Sequence, residues 1–145
     1  MAFMNQEKKK VLAPAIKAVL KKYNMKGTIG VRHHSSLVVN IKAGALDLLG
    51  AAQKHNDEYA RMRGDEPYQV GDNLQVNPYH CVANAEGVGE NKIAKFYDEL
   101  LDAVNGRGTS VQNHNNSDIM TDYFDVGYYI DINVGQWDKP YELTA

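Results

Sequence analysis

The sequence predicts an α+β domain of two layers: a four-stranded antiparallel sheet with two helices on one face, in the order αββ–insertion–αββ. Three observations predict it. Segments 11–24 and 91–105 carry apolar side chains at helical spacing. Each is followed by stretches that alternate apolar and polar residues. The two groups are separated by a stretch at about 43–90 with little periodicity of either kind. Spacings near 3.6 and 2 are the marks of a helix face and a half-buried strand. The simplest packing puts both helix stripes on the apolar strand faces. Asn40, Lys42, Tyr129, Asp131 and Asn133 then lie on the opposite face, open to solvent or to a partner.

In 11–24, Leu12, Ile16, Val19, Leu20 and Tyr23 make one stripe, and Lys10, Lys17 and Lys21 project from the other side. Pro14 lacks an N–H and crowds the preceding turn. Regular helix is therefore expected from about Leu12, with 4–11 as a separately angled extension. Asn24 and Gly27 tolerate left-handed backbone and end it. Residues 28–33 alternate Ile29 and Val31 with Gly30 and Arg32. Residues 36–42 alternate Leu37, Val39 and Ile41 with Val38, Asn40 and Lys42. The short link at 34–36 makes them a hairpin.

Within 43–90, two turns of helix at 45–52 and a short strand marked by Leu74 and Val76 are the readable features; the rest is a variable insertion on one edge of the fold. The clearest element is 91–105, where Ile93, Phe96, Tyr97, Leu100, Leu101 and Val104 form a stripe ended by Gly106 and Gly108. Burying six such side chains contributes roughly 9–18 kcal/mol, against roughly 15–30 kcal/mol of backbone entropy for fifteen residues. This helix must dock on a sheet. After a polar loop come two strands, 120–124 and 126–135. In the second, Tyr128, Ile130, Ile132 and Val134 alternate with Tyr129, Asp131 and Asn133, giving one apolar and one polar face. A tail, 136–145, carries Trp137, Pro140 and Tyr141.

A length of 145 residues fits one domain, 1–145, which needs no covalent staple. The single cysteine, Cys81, cannot form an internal disulfide and fits a reducing compartment. No apolar stretch follows the early lysines as in a secretory signal, and no uncharged apolar run approaches the ~20 residues of a membrane span. A cytoplasmic protein with no membrane partner is expected. Charge is polarised. Residues 1–42 hold nine Lys/Arg and one acid, a net of +8, and residues 43–145 hold seven against seventeen, a net of −10. Opposed halves attract, and what remains exposed selects partners.

No constellation forces a chemistry. His34 and Ser36 form one His-x-Ser pair of the kind that two-histidine phosphoesterases place on each of two strands. The second pair is missing at His114, and polar residues in a turn are the better account of the first. His80 and Cys81 are adjacent and the other histidines scattered, so zinc spacing is absent; no metal or cofactor is implied. Asp118, Asp122, Asp125 and Asp131 cluster as nuclease carboxylates do around Mg²⁺, with Asp122 and Asp131 as the candidate pair, but also as turn residues do. The lysine face of the first helix, with Lys10, Lys17 and Lys21, suits phosphate contacts, although the acidic remainder repels a duplex that spreads beyond it. Six of the 13 aromatic residues fall between Tyr123 and Tyr141. Half of them are core by alternation. Tyr129, Trp137 and Tyr141, with Asp131 and Asn133, compose a candidate protein-binding surface.

Two stretches carry a resemblance. One is 11–41, with Ile16-Lys17-Ala18-Val19-Leu20-Lys21-Lys22-Tyr23 leading into Lys26-Gly27-Thr28 and then Ser36-Leu37-Val38-Val39-Asn40-Ile41. The other is 117–143, opening Ser117-Asp118-Ile119-Met120-Thr121-Asp122-Tyr123-Phe124-Asp125-Val126-Gly127-Tyr128. Together, over about half of the chain, they resemble a family of small uncharacterised proteins of tailed bacteriophages. In layout they also look like one of the large polyvalent protein-associated domains of phages and conjugative elements. The resemblance implies an origin, a phage accessory gene, and not an activity, because that family carries no catalytic assignment to transfer. The expected function is a non-enzymatic accessory protein that binds and modulates a host or anti-phage defence protein in the host cytoplasm. The alternatives are a nucleic-acid-binding module using the first helix, and a small phosphoesterase or nuclease.

Overall fold

Leu37, Val39 and Ile41 stand beside Ile130, Ile132 and Val134 as the alternation requires, but their strands run parallel. The computed structural model describes residues 2–114 and 127–144. The fold is α+β, and the described residues form four helices and a mixed sheet of five strands. In chain order these are α1 (Gln6–Lys22), β1 (Met25–Arg32), β2 (Ser36–Gly44), α2 (Leu48–Arg63), β3 (Leu74–Val76), α3 (Cys81–Gly87), α4 (Asn91–Val104), β4 (Tyr129–Val134) and β5 (Glu142–Leu143). The sheet order is β1-β2-β4-β3, and β5 pairs with β2. The β1–β2 and β3–β4 pairs are antiparallel; β2–β4 and β2–β5 are parallel.

This corrects the expected four-stranded antiparallel sheet. Between β2 and β4 the chain passes through α2, β3, α3 and α4, a crossover long enough to bring the later strand back in the same direction. The expected second hairpin partner, 120–124, lies outside the described residues. β4 instead sits between β2 and β3, so the insertion supplies an edge strand of the sheet. The expected pair of helices becomes four. α2 is longer than the two turns expected at 45–52, and α3 was not expected at all.

Pro14 does not interrupt α1. Asn5 caps the helix, its Oδ1 accepting from Lys8 N–H at 2.8 Å. Backbone hydrogen bonds from Phe3 to Gly127 and from Met4 to His34, both 2.8 Å, anchor the segment before it. Pro14 and Lys10 lie on the exposed side, where the carbonyl that the proline leaves unpaired can reach water. Of the extension expected at 4–11, residues 6–11 are therefore the opening turns of a continuous helix.

One core cluster runs from Met4 to Tyr141. It joins Leu12, Ile16 and Leu20 of α1 and Ile93, Phe96, Leu100 and Val104 of α4 to Leu37, Val39, Ile41, Ile132 and Val134 of the sheet. Leu48 and Ala51 of α2, with Cys81 and Ala85 of α3, extend it. Two buried tyrosines close it by donating to backbone carbonyls, Tyr128 to Val104 at 2.5 Å and Tyr141 to Leu46 at 2.6 Å. Burial pushes both phenols up to about 12, so they stay protonated donors. No helix among the described residues is long and apolar enough to cross a membrane.

Candidate interaction face

Because successive residues of a strand point to opposite faces, the register fixes what the outward side of the sheet presents. Arg32, Ser36 and Tyr129 form one row, Gly30, Val38 and Asp131 the next, and Thr28, Asn40, Asn133 and Gln75 the third. None of these residues belongs to the core cluster, and none of the core-lining helix residues is among them. The rows are stitched by polar bonds. Asn133 donates through Nδ2 to Oδ1 of Asn40 at 3.0 Å, and Gln75 donates through Nε2 to Oδ1 of Asp131 at 3.1 Å. Arg32 forms an ion pair with the other carboxylate oxygen of Asp131. Asp131 is 6% exposed, the one buried charged or polar residue among those described. A carboxylate so far from water is tolerable only with such partners.

Above the third row rises a tight turn. Gln136 and Lys139 exchange backbone hydrogen bonds of 2.8 and 3.0 Å, which leaves Trp137 and Asp138 at the apex. Trp137 is 87% exposed. The turn depends on Gly135, whose φ of +71° puts its backbone in the left-handed region, and where a Cβ would stand 2.6 Å from Tyr141 N. After the turn the chain rejoins the same edge of β2 as β5. Gln75, Asn133 and Trp137 line one groove of about 340 Å³ beside the turn. Asn40, Lys42, Gln136 and Lys139 line another, of about 370 Å³, on its other flank.

The expected partner-binding residues therefore divide. Tyr129 (51% exposed) and Trp137 stand free at the surface. Asn133 is half-buried in the floor, and Asp131 is buried in its ion pair. Tyr141 is a core residue, not a surface one, because the glycine-dependent turn sends it under Leu46. Arg32 and Gln75, which hold Asp131, were missed as a pair. Alternation places Arg32 on this face, but no local pattern reveals Gln75.

Lys10, Lys17 and Lys21 are all exposed on α1 and take part in no ion pair among the described residues, whereas the adjacent Lys22 is bound to Glu99 at 2.5 Å. Among those residues, Lys22–Glu99 and Arg32–Asp131 are the two ion pairs that tie the basic first 42 residues to the acidic remainder. His33 and His34 both sit at φ +54°, inside a turn closed by Ser35 N–H to Arg32 carbonyl at 3.2 Å. His34 is exposed and its carbonyl holds Met4, so this segment serves the hairpin. Asp118, Asp122 and Asp125 lie outside the described residues, and Asp131 is engaged by Arg32 and Gln75. Among the described residues no three His, Cys, Asp or Glu side chains gather as a metal site would require. No protein-family model matches the chain, and no curated protein or solved structure proved similar to it.

Proposed function

We propose that this chain is a non-enzymatic binding protein that engages a protein partner through the outward face of its sheet, with Trp137 as anchor. The observation that carries this reading is a tryptophan left almost wholly in water on a turn fixed by paired backbone hydrogen bonds. Exposed indoles are unfavourable alone and dominate affinity when a partner covers them. A backbone already held in place loses little further freedom on binding. Tyr129 and the polar rows beneath supply the rim. The likeness of 11–41 and 117–143 to small tailed-bacteriophage proteins supports an accessory role in infection, with a host or defence protein of the cytoplasm as the partner. The test is co-purification from host lysate with a Tyr129→Ser/Trp137→Ser double variant. A partner held by the wild type and lost from the variant supports the reading; one retained equally by both rejects it.

The second reading is a nucleic-acid contact along α1, favoured by Lys10, Lys17 and Lys21 standing exposed with no ion-pair partner among the described residues. Three phosphate contacts give a log–log salt slope of about −2.7 on duplex DNA. Binding with that slope, abolished by changing all three lysines to glutamate, would support it, and a flat salt response would remove it.

A further inference from the structure

The insertion encloses a second, chemically different feature. Between α2, β3, α3 and α4 lies a cavity of about 420 Å³, within the ~300–1,000 Å³ typical of small-molecule sites. In a chain of which 23% of residues are Asp, Glu, Lys or Arg, none of these four lines it. Its walls are Leu48, Ala51, Val76 and Ala85, and its polar groups are largely amides, among them Asn56 and Asn84. An amide offers both donors and acceptors, and carries no charge.

Tyr97 is 6% exposed, and its hydroxyl makes no hydrogen bond among the described residues. No side-chain polar atom among them is sealed from solvent without a partner, so this hydroxyl keeps some access to solvent, and its residue borders the cavity. A phenol buried in this way carries a desolvation cost that a bound acceptor would remove. Burial, ahead of the nearby Cys81, pushes the phenol up, so it stays a donor. Cys81 also lines the cavity. Burial raises its thiol to about 11, which leaves it protonated at neutral pH and no activated nucleophile.

The mouth is built rather than loose. The connection from α2 to β3 is strapped to the helix, with Val70 N–H donating to Gln53 Oε1 at 2.8 Å. Side-chain amides of Gln53 and Asn56 both donate to the Tyr68 carbonyl at 3.2 Å. Tyr68 therefore has a fixed backbone, borders the cavity and is 80% exposed. An exposed aromatic residue on a fixed backbone, at the mouth of a cleft lined by amides and His55 and by no Asp, Glu, Lys or Arg, offers a stacking face to something flat.

We propose that this cavity binds an uncharged planar heterocycle of the nucleobase or nucleoside class, stacked on Tyr68 with its hydrogen-bonding edge toward Tyr97 and Asn84. No Asp, Glu, Lys or Arg lines the cavity to offset the desolvation of a charged ligand, and an acyl chain would offer Tyr97 and Asn84 no hydrogen-bond partner. The inference stands apart from the sheet-face reading and does not depend on it.

The test is titration of the full-length protein with adenosine, guanosine, cytidine and uridine, followed by saturation-transfer NMR and calorimetry. Saturable one-to-one binding of at least one nucleoside is expected. Tyr68→Ala, at an exposed position, should weaken it about tenfold. Tyr97→Phe, which keeps the ring, should weaken it roughly five- to tenfold with an unchanged circular dichroism spectrum. Trp137→Ser should leave it unaltered. Absence of saturable binding by all four nucleosides, an unchanged affinity in either tyrosine variant, or tighter binding of the 5′-monophosphates than of the nucleosides would overturn the proposal.

Discussion

On the inward face of the sheet Leu37, Val39, Ile41, Ile132 and Val134 are shut under the helices. On the outward face Asp131, one residue from Ile132, is kept from water by a guanidinium and an amide. The same strands build both faces, and the pleat alone decides which residues go where. The difference lies in how each face stores its stability. Inside, it is spread over apolar area and many small contacts. Outside, it sits in a few directional bonds whose rims stay accessible, which leaves that face able to accommodate another molecule.

The comparison can be broken most forcefully from the inside. Phe96, fully buried and edge-on to Tyr23 at 5.4 Å between ring centres, should cost about 3–5 kcal/mol as Phe96→Ala in urea unfolding. On the outer face, Arg32→Leu should cost about 3 kcal/mol by the same measurement, because Asp131 loses its countercharge while still buried. Adding Asp131→Leu should recover most of that loss. Failure of the second change to restore stability would mean the bond holds more than its own charge.

A smaller effect separates the helical layer by pH. Glu99 accepts from Lys22 and from the Tyr23 hydroxyl, and these bonds hold its carboxyl below the usual 4.5. A depressed carboxyl stabilises the fold above its unfolded value and loses that contribution as pH falls through the folded one. Wild-type melting temperature should therefore drop in the acid range below 4.5 more steeply than that of Glu99→Gln, as scanning calorimetry at stepped pH would show. The smallest effect belongs to Trp137. Trp137→Ser should change stability by no more than about 0.5 kcal/mol, since the side chain touches mostly water. A larger loss would mean the indole supports the fold rather than awaiting a partner.

What could be read from the sequence followed the strength of each repeat. The stripe of α4 and the alternation of β2 and β4 appear as expected, because large apolar side chains recur at one spacing. α2 was seen only in part, since beyond Leu48 it buries small residues, Ala51 and Ala60, which leave a faint stripe. α3 has seven residues and two buried ones, Cys81 and Ala85, too few to show a period. Alternation reveals which side a residue faces but not the neighbour or direction of its strand, so the parallel β2–β4 pairing was not legible. Of the candidate face, Tyr129, Asp131 and Asn133 were placed by alternation. Tyr141 was misplaced because its position depends on one left-handed glycine six residues earlier. The cavity was invisible, its lining drawn from four elements with no local signature.

The parallel ladder between β2 and β4 has a consequence for how the molecule comes into being. Every rung joins residues 93 positions apart. Closing such a loop costs about 4 kcal/mol of chain entropy beyond a length-independent constant. On the ribosome the interval is also one of time. At ~5–20 residues per second, β2 waits about 5–20 s after its own synthesis for its central neighbour to emerge. Through that interval one edge of the strand that carries Leu37, Val39 and Ile41 goes without this partner, making the nascent chain the most aggregation-prone form of the protein.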